Sequence, residues 1–152
     1  MRKISVLIIC MMLAATTIQA QSCEDKKSRL LELTGSLSAT LIYNTYLVIG
    51  SVGDGYQHEV YDSAQVEIIM KEQADMLTSN IKSLDELLTK KIFDDEDDKR
   101  FATDINTIFK GLKEQANLLI DYVRKDSETI ANQFQEKRLS NWQKIKILLG
   151  LE

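Results

Sequence analysis

The sequence predicts an all-α protein, an up-down antiparallel helical bundle that follows an N-terminal signal peptide. Three observations support this class. The 152 residues contain no proline and only 6 glycines, so long uninterrupted helices are expected. Apolar residues recur at alternating spacings of three and four, the period of a helix that packs against neighbouring helices. Capping residues and like-charged clusters stand where such helices would begin and end.

The first twenty residues have the composition of a secretory signal peptide. Arg2 and Lys3 give a cationic start, residues 4–15 are apolar, and a run of small residues ends at Ala20. The apolar run is shorter than the roughly 20 residues that span a bilayer. We therefore predict that residues 1–20 are removed and that residues 21–152 form a single helical bundle domain. The mature chain is expected to be exported, to the periplasm or the cell exterior.

Cys23 is the one cysteine left after cleavage, because Cys10 lies within the signal. An intrachain disulfide is therefore excluded. Three interpretations stay open: an idle thiol on a frayed end, an intermolecular disulfide, or the lipid-bearing first residue of a lipoprotein. Residues 20–22 match a lipoprotein cleavage site only in part, so cleavage after Ala20 and cleavage before Cys23 both remain. The lipoprotein interpretation would attach the protein to a membrane through Cys23.

The second helix of the mature chain has the clearest start. Asp62 can cap it, and Gln65 stands at the third helical position, where it completes a capping box. The apolar residues that follow share one stripe: Met70, Ala74, Leu77, Ile81, Leu84 and Leu88. This spacing predicts a seam packed against neighbouring helices.

An acidic run at 93–98 is predicted to form the next turn and the next helix start. Negative side chains compensate the unpaired amides of a helix N-terminus. The third helix then repeats the same spacing: Phe101, Ile105, Ile108, Leu112, Ala116, Leu119 and Val123. Because the connection is short, the two helices should lie side by side and antiparallel.

The first helix of the mature chain is predicted from about Glu24. One stripe consists of Leu30, Leu33, Leu37, Leu41, Val48 and Val52, with Ile42, Tyr46, Ile49 and Tyr56 beside it. The far end has a competing interpretation, because Asp54-Gly55 is a hairpin signal and residues 41–52 are rich in β-branched and aromatic types. The alternation of a half-buried strand fails in this segment, so the helix is favoured.

The C-terminal segment permits a fourth helix, either continuous or broken near Leu139. Its apolar and amide positions are Ile130, Phe134, Asn141, Ile145 and Leu148, and Gly150 should end it. Basic residues surround Trp142 in this segment. The amphipathic pattern favours a helix that closes its own bundle, with a partner groove or an anionic membrane as the alternatives.

No catalytic, cofactor-binding or metal-ligating set emerges from the sequence. His58 is the only histidine, and its glycine-rich surroundings indicate an exposed turn. One histidine and one mature cysteine cannot supply a structural zinc site or a di-iron site. The run 94–98 lacks the glycine and the terminal glutamate of a calcium-binding EF-hand loop. The acidic balance, with a formal charge of −4, argues against nucleic-acid binding.

Aromatic residues and the lone histidine are the remaining candidates for a ligand or partner surface. They are Tyr43, Tyr46, Tyr56, His58, Tyr61 and Trp142. We expect a non-enzymatic interaction or structural protein of the cell envelope, with a protein partner or self-association. The alternative is a periplasmic small-ligand binding or sensing bundle, in which the tyrosines and His58 line a pocket at one end of the helices.

Overall fold

A computed structural model describes the backbone of residues 2–90, 92–93 and 95–151, and the side chains from residue 26 onward except residue 27. The helices are α1 (Arg2–Gln57), α2 (Ser63–Thr89), α3 (Glu96–Lys125) and α4 (Glu128–Leu149). The described residues contain no strand. The predicted all-α class is therefore confirmed. The predicted signal-peptide cleavage and the chemistry of Cys23 lie outside the residues whose side chains are described.

The chain divides into two compact units, Met1–Leu37 and Ser38–Glu152. In the first unit, taken by itself, Leu30, Leu33 and Leu37 are exposed, whereas Leu31 and Gly35 are half-buried. None of the helices, over the residues that the structure describes, has the length and apolar content that a membrane crossing requires.

The second unit is a packed bundle of the last part of α1 with α2, α3 and α4. Helix α3 packs against both α2 and α4. Gly53 of α1 lies against Phe134 of α4 and Leu119 of α3. The core is formed by one set of buried apolar residues: Ile42, Ile49, Val52, Val66, Met70, Ala74, Leu77, Ile105, Ile108, Phe109, Leu112, Ala116, Leu119, Val123, Phe134 and Ile145. Neighbouring helices run antiparallel, as the sequence predicts.

The helix ends follow the local signals in the sequence. Asp62 accepts a hydrogen bond from the backbone amide of Gln65 at 2.8 Å, and the Gln65 side chain accepts one from the Asp62 amide at 3.0 Å. Asp95 caps α3 by accepting from the Asp97 amide at 2.6 Å. Gly150, with a φ of 63°, ends α4 in the left-handed conformation that glycine adopts without strain. The predicted capping box, acidic helix start and final glycine are all confirmed.

The hairpin alternative is wrong, because residues 41–57 continue α1 and only residues 58–62 form the connection to α2. Helix α4 is continuous through Leu139, so the broken alternative is also wrong. The tight turns use two non-glycine residues in the left-handed region, Glu59 with a φ of 59° and Asp126 with a φ of 44°. A short polar side chain such as that of Asp126 tolerates this conformation better than a branched one.

The inward face of α1 differs from the stripe that the sequence suggests. Within the second unit, Ile42, Ile49 and Val52 are buried, and Thr45 is buried beside them, while Val48 is exposed. Val52 of the predicted stripe therefore packs as expected, Val48 is a correction, and Ile42 and Ile49 of the row beside the stripe complete the buried face. Phe101 was predicted on the packed stripe of the third helix, but its side chain is 38% exposed, so this part of the prediction is wrong.

Candidate functional site

Three of the predicted aromatic residues meet where α1 crosses α4. The rings of Tyr46 and Trp142 stack with centroids 5.3 Å apart and planes 20° apart, and Tyr43 lies 6.4 Å from Trp142 at a tilt of 46°. Tyr43 and Tyr46 are three residues apart on α1, so both reach the same side of the helix. Such ring pairs contribute about 0.5–1.5 kcal/mol beyond their buried area. Tyr43 remains 39% exposed and opens the cluster to the surface.

A bidentate ion pair lies next to this aromatic cluster. Arg138 of α4 donates from Nη1 to one carboxylate oxygen of Asp54 at 2.7 Å and from Nη2 to the other at 2.9 Å. The hydrogen bonds from Arg138 hold the pKa of Asp54 below its ordinary value of 3.8, against a smaller opposing effect of burial. The same bonds to Asp54 raise the pKa of Arg138. The pair fixes the end of α1 to the middle of α4.

Glycine makes the close approach of α4 to α1 possible. A Cβ atom at Gly50 would lie 3.0 Å from Nη2 of Arg138, and one at Gly53 would lie 2.9 Å from the Phe134 ring. The guanidinium therefore rests directly on the backbone of α1. Gly50 and Gly53 thus allow close packing within the monomer.

The other predicted aromatic residues lie elsewhere, at the α1–α2 turn. Tyr56 forms an edge-to-face pair with Tyr122, with centroids 5.5 Å apart and planes 87° apart. Tyr61 packs against Gly55, and His58 is exposed. Tyr56 stands ten residues after Tyr46, a rise of about 15 Å along a helix. The structure thus separates the six candidates into two groups and does not bring them around one pocket.

A buried polar pair joins α3 to α4 in the core. Asn141 Nδ2 donates to the Gly111 carbonyl and to Gln115 Oε1, each at 2.9 Å. Asn141 is 1% exposed and Gln115 is fully buried. The Asn141 Oδ1 and Gln115 Nε2 atoms have no partner. A Cβ atom at Gly111 would collide with the Asn141 side chain, so glycine is required there.

The acidic turn before α3 stabilises the helix start. Asp95 is its cap, Asp97 pairs with Arg100 at 2.6 Å, and Glu96 pairs with Lys99 at 3.3 Å. Across the described residues, no group of three or more histidine, cysteine or acidic side chains is arranged to hold a metal ion.

The outward side of α1 in the second unit forms a surface of unusual composition. Its exposed residues, here called the α1 outer face, are Thr40, Tyr43, Asn44, Leu47, Val48 and Ser51. No charged residue occurs between Ser38 and Gly53. By contrast, α2 exposes many charges: Lys71, Glu72, Asp75, Lys82, Asp85 and Glu86. A helix face turned to solvent ordinarily carries charged residues, so the α1 outer face departs from the rest of the bundle.

The sequence did not identify several residues of the site. Asp54 was interpreted as a turn residue, Arg138 only as part of a basic tail, and Tyr122 received no role. The Asp54–Arg138 pair joins residues 84 positions apart, which no local spacing reveals. The charge-free run from Ser38 to Gly53 was the one signal in the sequence that could have indicated the α1 outer face.

Comparisons with known proteins return no relative. No protein-family model matches the chain, no curated protein is similar to it, and no solved structure matches its fold.

Proposed function

We propose that this protein is an exported, non-enzymatic interaction or structural protein of the cell envelope, and that the α1 outer face is its binding surface. The observation that carries the proposal is an exposed helix face without charge on an otherwise acidic, charge-rich molecule. The fully buried centre of a protein interface is depleted of charged residues in the same way.

The aromatic cluster supports the same surface. Tyr43 belongs to the α1 outer face and contacts Trp142, which is half-buried and stacked on Tyr46. Tyrosine and tryptophan are the residues most enriched at the energetic centres of interfaces, because they offer a large apolar surface and lose little rotamer freedom. The stack holds these rings in place before any partner binds.

Export is proposed from the signal-peptide pattern of residues 1–20, and a non-enzymatic role from the poverty of reactive groups. The single histidine is exposed at the α1–α2 turn. Fractionation of the host with an antibody against the chain tests the location. Recovery in the cytosol with residues 1–20 still attached would contradict it.

Site-specific photo-crosslinking in the host tests the binding surface. A photoreactive residue in place of Leu47 should give a discrete crosslinked product. The same residue in place of Leu87 should give none. The two leucines form a matched pair, because they are 43% and 37% exposed and lie on α1 and α2, respectively. Equal crosslinking at both positions, or none at Leu47, would contradict an interaction through the α1 outer face.

A small-ligand binding bundle is the second candidate, favoured by the stacked rings beside the Asp54–Arg138 pair. Tyr56, His58 and Tyr61, which the sequence analysis placed in the same pocket, lie at the α1–α2 turn instead. A ligand would therefore be small and would bind to Tyr43 and Trp142. A thermal-shift screen tests it, since a ligand raises the melting temperature as its concentration exceeds Kd. Replacement of Trp142 by alanine should abolish any shift that comes from this site.

A further inference from the structure

We propose that the α1 outer face binds the α1 outer face of a second copy of this chain, giving a two-fold symmetric dimer with parallel α1 helices. This inference rests on the proposed function and names its partner. Three features of the α1 outer face support this dimer: its spacing, the chemistry of Asn44, and the absence of charge.

The face has the spacing of a two-helix seam. Thr40, Asn44, Leu47 and Ser51 follow one another at intervals of four, three and four residues, with Val48 beside them. This alternation keeps side chains on one side of a helix that supercoils with a partner. Four of the six exposed residues thus occupy alternating seam positions, and both remaining ones are apolar or aromatic.

Asn44 lies at the centre of the face and is exposed in the single chain. Its amide carries both donors and an acceptor, so two copies of Asn44 that meet across a two-fold axis can satisfy each other. An asparagine at one such seam position fixes the register and favours parallel dimers, at a cost in stability. In an isologous interface a residue on the axis contacts its own copy, which an amide tolerates and a charge does not.

The charge pattern favours a second copy over other surfaces. Two α1 outer faces meet without like-charge repulsion, because neither carries a charged residue. The polar residues of the face argue against a lipid surface as the occupant. Asn44 and Ser51 would lose their hydrogen bonds to water in hydrocarbon without gaining others.

The seam is short, because within the second unit it covers about three turns of α1, from Thr40 to Ser51. Polar residues at Thr40, Asn44 and Ser51 weaken the seam, so we expect a dissociation constant in roughly the micromolar range.

Sedimentation equilibrium on the protein purified from its host tests the dimer. The unmodified chain should dimerise reversibly. Leu47→Lys should raise Kd about 100-fold or more, because the charge enters the interface twice, once from each copy. Leu87→Lys, the matched control on α2, should leave Kd unchanged. Circular-dichroism melting of the variants checks that each chain remains folded.

A second variant tests the axis itself. Asn44→Asp places two carboxylates against each other across the two-fold axis, so it should dissociate the dimer at neutral pH. Acidification should restore the dimer, because one carboxyl then carries a proton and can donate to the other. Asn44→Gln, which keeps an amide, should retain dimerisation at both pH values.

Three outcomes would overturn the inference. The chain could remain monomeric at about 100 μM, well above the expected Kd. It could dimerise with an affinity that Leu47→Lys does not change. It could bind vesicles of phosphatidylglycerol and phosphatidylethanolamine through Leu47 without dimerising.

The crosslinking experiment separates this failure from failure of the proposed function. A monomeric chain that crosslinks at position 47 to a different protein retains the proposed function and refutes the dimer. A monomeric chain that does not crosslink there refutes both.

Discussion

The contact between α1 and α4 is built differently from the contact between α2 and α3. Helices α2 and α3 are tied at their surface by exposed ion pairs: Arg124 with Glu67 at 2.6 Å and Lys110 with Asp85 at 3.1 Å. Helices α1 and α4 approach closely at two glycines, stack their aromatic rings and share one bidentate ion pair.

The difference follows from the composition of α1. Between Ser38 and Gly53 this helix has no charge, so this part of it is held by shape, and the ion pair with α4 comes from Asp54 just beyond it. Exposed pairs such as those of α2 and α3 contribute little to stability in any case. A helix positioned by glycine contacts and rings can leave its outward side uncharged, and this is the side that we propose as a binding surface.

The strongest test of packing by shape is Phe134→Ala. Phe134 is 1% exposed and lies against Gly53, so truncation should cost about 3–5 kcal/mol of unfolding free energy. Gly53→Ala should destabilise the unmodified chain, because the new methyl group would meet the ring. In the Phe134→Ala background it should instead stabilise by up to about 1 kcal/mol, the gain in helix propensity. Urea titrations of the unmodified chain, the two single variants and the double variant measure the free energy of unfolding of each. If Gly53→Ala had the same effect in both backgrounds, the contact between Gly53 and the Phe134 ring would not limit stability.

The aromatic stack should come next in size. Trp142→Ala removes a half-buried ring from Tyr46 and should cost about 2 kcal/mol, less than a fully buried ring. Trp142→Phe keeps a stacking partner and should recover at least about half of that loss. Thermal melts followed by circular dichroism compare the two. Equal losses for alanine and phenylalanine would show that the stack contributes nothing.

The Asp54–Arg138 pair should have a smaller, pH-dependent effect. Because the pKa of Asp54 is lowered in the folded chain, its stabilisation is present above the ordinary value of 3.8 and is lost as pH falls through the folded value. Asp54→Asn should cost about 1 kcal/mol at neutral pH, since the carboxylate is about half exposed and screened by solvent. The difference between the two chains should vanish in acid, and a constant difference down to pH 2 would refute this assignment.

The smallest effect is expected at the α2–α3 surface. Glu67→Gln breaks the pair with Arg124, which has one hydrogen bond rather than two and whose guanidinium faces solvent, so the melting temperature should not change beyond experimental error. Added salt should leave the variant and the unmodified chain equally stable. A loss as large as that of Asp54→Asn would remove the contrast between the two helix contacts.

Much of the fold could be predicted because its signals are local. Asp62 and Gln65 are three residues apart, and Gly150 ends its helix by its own backbone freedom. Helix periods and caps depend on neighbours within a turn or two. The alternation of strand residues also fails locally in 41–52, which correctly favoured the helix over the hairpin.

The orientation of α1 and the grouping of the candidate site could not be predicted in the same way. Helix α1 carries apolar residues on both sides. The sequence therefore placed Val48 on the main stripe with Ile49 beside it, whereas in the bundle Ile49 is buried and Val48 is exposed. Tyr46 meets Trp142, and Tyr56 meets Tyr122, through helix crossings that no sequence spacing encodes. The tyrosines that are near one another in the chain therefore separate in the fold.

The Asn141–Gln115 pair has a consequence for how the bundle assembles. Leucine and isoleucine side chains can replace one another in a helix contact. A packing in which α4 is shifted along α3 by one turn would therefore still bury apolar area. We expect Asn141 to disfavour such a shift, because opposite Gly111 it has a carbonyl to donate to and room for its side chain. The pair would then select one register of α4 on α3. Its cost is that Asn141 Oδ1 and Gln115 Nε2 have no hydrogen-bond partner.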